Sequence, residues 1–135
     1  MARKPRISAD IVSLMARGKR HAWTLEDLHG SLARTGAPID FSSVFRAAEK
    51  LTADRVIEKV VLESGRARFE LAGTHHDHLY CSNCQRLVPL PCVLRPRDLA
   101  ELESHTGVGI TGHRILFRGV CRKCRSAAQR RGKSA

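Results

Sequence analysis

Apolar positions in the first third of the chain recur at helical spacing. Ile7, Ile11, Leu14 and Met15 form one such stripe, which runs out around Gly18. A second helix is expected from Thr24, where Thr24 and Asp27 make a capping-box pattern ahead of Leu25, Leu28 and Leu32; it stops near Gly36 and Pro38. A third runs from about Ser42 to Asp54, with Phe41, Val44, Phe45, Ala48 and Leu51 on one face and Ser42, Ser43, Arg46, Glu49 and Lys50 on the other. The period then changes. Val56 to Leu62 is rich in valine, Glu63 to Arg66 offers a tight turn, and Ala67 to Leu71 returns as a strand. Three short helices followed by a hairpin is the order of a winged helix-turn-helix, whose third helix enters the DNA major groove.

Ala72-Gly73-Thr74 reads as a hinge, dividing a domain of residues 1–72 from one of residues 73–135. Beyond it the pattern predicts short strands at Leu79-Tyr80 and from Leu87 to Val93. A helix follows from about Pro96 to His105, with Pro96 suited to its first turn. A strand from Gly109 to Gly119 and a short basic helix or tail after Cys124 complete the chain. The expected fold class is α+β: an N-terminal winged helix-turn-helix and then a small α/β domain.

Charge narrows the choice of partner. Twenty-four lysines and arginines against 13 acidic residues give a net charge of +11, which favours a polyanion. The excess lies in runs: Arg3, Lys4 and Arg6; Arg17, Lys19 and Arg20; and Arg122 to Lys133. Membrane association is not expected, because no apolar run approaches the roughly 20 residues of a span and no basic amphipathic helix carries large apolar residues. The charged start lacks the apolar stretch of an export signal, so a cytoplasmic location is expected. In that reducing compartment, metal binding outranks disulfides as a use for five cysteines.

Four of the five form Cys81-x-x-Cys84 and Cys121-x-x-Cys124. Two residues between thiolates let both sulfurs of a pair reach one tetrahedral ion, and four thiolates close its coordination sphere, as in structural zinc sites. A thioredoxin-like motif would need one pair in a βαβ setting, and iron–sulfur clusters use other spacings. The long separation between the pairs means that the ion staples an entire α/β subdomain. Cys92 is left over beside the apolar run Leu87 to Pro91, where a lone cysteine reads as a small buried hydrophobe.

His75-His76-Asp77-His78 directly precedes the first pair. In an extended chain His76 and His78 share one side, while His75 and Asp77 share the other, so one tetrapeptide can seed two metal sites. His21, Glu70, His105 and His113 are candidates to complete them.

With these residues in view, the sequence resembles the ferric uptake regulator family, which includes zinc-, manganese- and peroxide-sensing members. The resemblance rests on His75 to Cys84, on His113, and on Gly119-x-Cys121-x-x-Cys124. Phe69-Glu70-Leu71, Ser43-Val44-Phe45-Arg46 and Glu26-Asp27-Leu28 add to it. It implies a regulator, most simply a repressor, that binds double-stranded operator DNA as a homodimer when a sensor metal is bound. Neither catalysis nor a small-molecule substrate is expected. The resemblance also implies a structural zinc on Cys81, Cys84, Cys121 and Cys124, and a second divalent ion (iron, zinc or manganese) on His21, Glu70, His76 and His78. A further site would use His75, Asp77 and His113, but Pro96 stands where the family has a helix glutamate and Pro89 where it has another carboxylate. DNA contacts would come from Ser42, Ser43, Phe45, Arg46, Lys50 and Arg68. Phe45 replaces the family's tyrosine, and Arg55 the glycine that ends its third helix. Charge and cysteines alone would also suit a zinc-ribbon nucleic-acid module without sensing, but the histidine cluster has no place in that reading. A peroxide-sensing relative would instead oxidise a histidine beside iron.

Overall fold

The computed structural model describes residues 4–36 and 38–133; Arg3, in the first basic run, lies outside them. The chain divides after Gly73 into two compact units.

The first unit carries α1 (Lys4–Arg17), α2 (Leu25–Ala33), α3 (Phe41–Ala53), β1 (Ile57–Val61) and β2 (Ala67–Leu71). The Thr24 hydroxyl accepts the Asp27 amide at 2.9 Å and the Asp27 carboxylate accepts the Thr24 amide at 3.0 Å, so the expected capping box starts α2. Asp40 caps α3 in a similar way, accepting the Ser43 amide. The helical stripes converge on one core of Ile11, Met15, Trp23, Leu28, Leu32, Val44, Ala48 and Leu51, closed by Ile57 and Phe69 from the antiparallel β1–β2 hairpin.

Two local features set this geometry. Trp23 and Phe69 exchange backbone hydrogen bonds of 2.8 and 2.7 Å, which lays the connection between α1 and α2 against β2. The end of α3 is a Schellman motif: the Val56 amide reaches the Leu51 carbonyl, and the Arg55 amide the Thr52 carbonyl. Arg55 therefore sits at φ 59°, the left-handed conformation that a glycine adopts without a steric penalty.

Gly18 is needed for space. A Cβ there would lie 2.6 Å from Cζ2 of the buried Trp23 and 3.2 Å from the Leu14 carbonyl oxygen. Gly18→Ala is expected to lower unfolding stability by about 1–3 kcal/mol, the usual cost of overpacking. Denaturant unfolding followed by fluorescence of Trp23, the single tryptophan, measures it; an unchanged midpoint would show that the indole yields freely.

The second unit contains β3 (Asp77–Cys81), β4 (Leu87–Leu90), α4 (Pro96–Thr106), β5 (Leu116–Gly119) and α5 (Arg122–Lys133). Its sheet has the order β4-β3-β5, with β4 antiparallel and β5 parallel to the central β3. Two strands are shorter than the sequence pattern predicts. β4 ends at Leu90 because Pro91 has no amide for a ladder, while Pro89 is tolerated on an edge strand. Residues 109–115 are irregular rather than extended: Gly109 and Gly112 bring no side chains to pack, and the pairing of β5 begins only at His78↔Leu116. Among the described residues of this unit, Leu87 is the one aliphatic side chain that is buried, along with Asp77, His78, Cys81 and Cys121.

Candidate metal centres

The parallel register of β3 with β5 places Cys81 opposite Gly119, so the two cysteine pairs leave the sheet side by side. The first pair spans a turn in which the Gln85 amide bonds to the Cys81 carbonyl at 2.8 Å, with Gln85 at φ 63°. The second straddles the start of α5. One ligand atom from each of the four cysteines lies within 4.8 Å of the others. The Cys84 and Cys121 sulfurs are 3.8 Å apart. A disulfide would need about 2.05 Å, whereas a tetrahedron with bonds of about 2.3 Å to zinc has edges of about 3.8 Å. Amides of Cys121 (3.3 Å) and Cys84 (3.5 Å) donate to the Cys81 sulfur, favouring its thiolate and lowering its pKa to about 6. The donor set, spacing and hydrogen bonding fit a structural zinc, in keeping with the expected four-cysteine site.

The histidine-rich tetrapeptide divides as its alternation predicts. On one side the rings of His76 and His78 meet edge-on with centroids 4.6 Å apart, and His78 is buried. On the other, Asp77 is buried beside His75 and His113: its Oδ1 accepts the Ile115 amide at 3.1 Å, His75 Nε2 lies 3.8 Å from Oδ1, and His113 Nε2 lies 3.8 Å from Oδ2. The two Nε2 atoms are 2.9 Å apart.

Cys92 requires a correction. It is exposed rather than buried, and its sulfur lies 3.2 Å from His113 Nε2. The residues after β4 turn away from the sheet once Pro91 breaks the ladder, and this carries Cys92 to the histidines. Sequence reasoning passed over it because no local spacing links it to them. His105, a candidate ligand, instead lies on the exposed face of α4 beside Glu101.

Within the first unit, His21 Nε2 is 2.5 Å from Glu70 Oε2. The Trp23–Phe69 bridge brings these two segments together, and Glu70 is 1% exposed. A carboxylate this deep is costly to bury unless it is paired or ligates a metal.

On α3, Phe45, Arg46 and Lys50 are exposed, whereas Arg68 on β2 is half-buried. The hydroxyls of Ser42 and Ser43 donate to Asp40 at 2.5 and 2.7 Å, and Arg46 in turn donates to the Ser43 hydroxyl at 3.3 Å. These bonds hold the Asp40 carboxyl far below its ordinary pKa, led by that from Ser42. Glu49, on the polar side of the helix, is tied to Lys59 of β1 at 3.1 Å.

The ferric uptake regulator family model matches residues 3–117. The chain is 24% identical over 121 residues to the ferric uptake regulation protein of Legionella pneumophila, covering 89% of this chain and 88% of that one. Its fold is shared with the ferric uptake regulator of Helicobacter pylori, described as having three functional metal-binding sites (TM-score 0.79, 20% identity, 89% of this chain and 80% of that). A zinc uptake regulator complexed with zinc and DNA shares it too (TM-score 0.66, 19% identity, 91% and 83%). A family match over residues 3–117 spans most of the 135 residues, and the shared fold accords with it: the chain belongs to the ferric uptake regulator family.

Proposed function

We propose that this protein is a metal-dependent repressor that grips operator DNA as a homodimer when one divalent ion is shared by His21 and Glu70 of the first unit and His76 and His78 of the second. The observation that carries this reading is that each unit offers a ready pair of donors, flanking the short connection from Leu71 to His75. Three imidazoles and a carboxylate suit iron, manganese or zinc. An ion held from both sides fixes the angle between reader and dimer, and so the spacing of two α3 helices along the duplex. Metal then shifts the population towards the DNA-binding arrangement, and DNA tightens metal by the same factor.

Dimerisation is supported by what the second unit leaves bare. α4 buries none of its residues, and Leu102, Val108, Phe117 and Val120 are exposed. A second copy of the chain is the natural cover for such a face. DNA binding is supported by the net charge of +11, by the exposed Arg46 and Lys50, and by the DNA complex of the related zinc uptake regulator.

The test is fluorescence anisotropy on candidate operators, with the four-cysteine zinc retained and iron(II), manganese(II) or zinc added. One of these ions should tighten binding by roughly 5- to 150-fold, and the paired His76→Ala, His78→Ala variant should lose that response. Affinity indifferent to every ion would overturn the proposal. Lys50→Ala should weaken all sequences alike and reduce the salt slope by about one unit if its ammonium neutralises a phosphate; an unaltered slope removes it from the interface.

A further inference from the structure

We propose that Cys92 is the fourth ligand of a second zinc-type site, completing His75, Asp77 and His113 with a thiolate. One donor atom from each of the four lies within 4.8 Å of the others. His113 Nε2 is the hub, 2.9 Å from His75 Nε2, 3.2 Å from the Cys92 sulfur and 3.8 Å from Asp77 Oδ2. A tetrahedral zinc with bonds of about 2.0–2.1 Å to nitrogen and about 2.3 Å to sulfur has edges of about 3.3–3.6 Å between such donors, and the observed separations bracket that range.

Asp77 supplies an independent pointer to a cation. It is 0% exposed, its Oδ1 accepts the Ile115 amide, and its buried Oδ2 has no hydrogen-bond partner while facing the cluster. A buried carboxylate oxygen left without a donor is costly, and a bound cation removes that cost. Pro96, which opens α4, has no side chain that can ligate. Cys92 reaches the same histidine from the segment just before the helix.

The change of donor changes the chemistry. Two imidazoles, a carboxylate and a thiolate select zinc or cobalt over manganese, magnesium or calcium, which prefer oxygen donors. The ion's place also matters: Cys92 lies in the connection entering α4, and His113 in the one leaving it. Occupancy pins both connections to the start of β3 and fixes the helix that has no core of its own.

These residues are disjoint from the proposed sensor ligands, so either proposal can fail without the other. The experiment is cobalt(II) titration of the full-length protein with its four-cysteine zinc in place, zinc release being monitored. The sensor ligands contain no sulfur, so a thiolate-to-cobalt charge-transfer band without zinc release reports Cys92. That band should vanish in Cys92→Ser, and cobalt binding at this site should weaken by at least the roughly 10- to 100-fold typical of losing even an outer-shell partner. Bound zinc should also protect Cys92 from alkylation, and His113→Ala should abolish the protection. Two equivalents of cobalt bound without the band, a band that survives Cys92→Ser, or alkylation indifferent to zinc would each overturn the proposal.

Discussion

Cys81→Ser is expected to unfold the second unit and abolish the proposed dimerisation while leaving the first unit folded. The expectation follows from what each unit buries. The first packs ten side chains, from Ile11 to Phe69, into a continuous core. The second encloses Leu87 and little other aliphatic surface among its described residues, so hydrophobic burial alone is a weak source of stability there. Zinc bound by thiolates in small domains contributes roughly 10–16 kcal/mol, as much as the whole net stability of a typical domain, about 5–15 kcal/mol. Cys81 is the worst ligand to lose, because it is fully buried and two backbone amides are aimed at its sulfur. Hydrogen exchange should show protection lost from β3, β4 and β5, and sedimentation should show a monomer. Trp23, in the first unit's core, should keep its folded fluorescence. A variant free of zinc that still protects the second-unit sheet would end the view of this ion as the unit's main support.

What could be read from the chain and what could not divide by the range of the interactions involved. The capping box at Thr24, the alternation through His75 to His78 and the two cysteine pairs are encoded within a few residues, and each reappears where its spacing puts it. The stop of α3 is also local, though Arg55 conceals it: the left-handed turn persists without the glycine that would announce it. Longer-range features left weaker traces. A single bridge between Trp23 and Phe69 brings His21 to Glu70, and one bridge leaves no periodic signature. Strand β5 was expected to begin at Gly109, but a strand extends only as far as its neighbour offers a ladder, and β3 offers none before its own first residues. Cys92 is the clearest case. Its place beside His113 depends on where Pro91 sends the chain and on where the irregular residues 109–115 deliver that histidine, and neither is a property of the sequence around it.

Glu70→Gln is expected to abolish the metal response of DNA binding with little loss of stability in the first unit. The two readouts separate because the carboxylate has opposite effects on them. In the proposed sensor site it is the only oxygen donor and the only anion, so its amide counterpart should weaken the ion by roughly 10- to 100-fold or more, given that losing an outer-shell partner alone costs that much. For folding, a carboxylate that is 1% exposed carries a desolvation penalty which its contact with His21 only partly offsets. Replacing it with a neutral side chain of the same shape removes the penalty and leaves His21, which is 31% exposed, in contact with solvent. Anisotropy titrations with each metal, alongside Trp23-detected unfolding without metal, measure both effects. The cobalt–thiolate band of the Cys92 site should be unchanged in this variant, since none of its ligands lies in the first unit. A Glu70→Gln protein that still switches onto DNA at wild-type metal concentrations would remove Glu70 from the sensor and, with it, the proposed link between the DNA reader and the dimer.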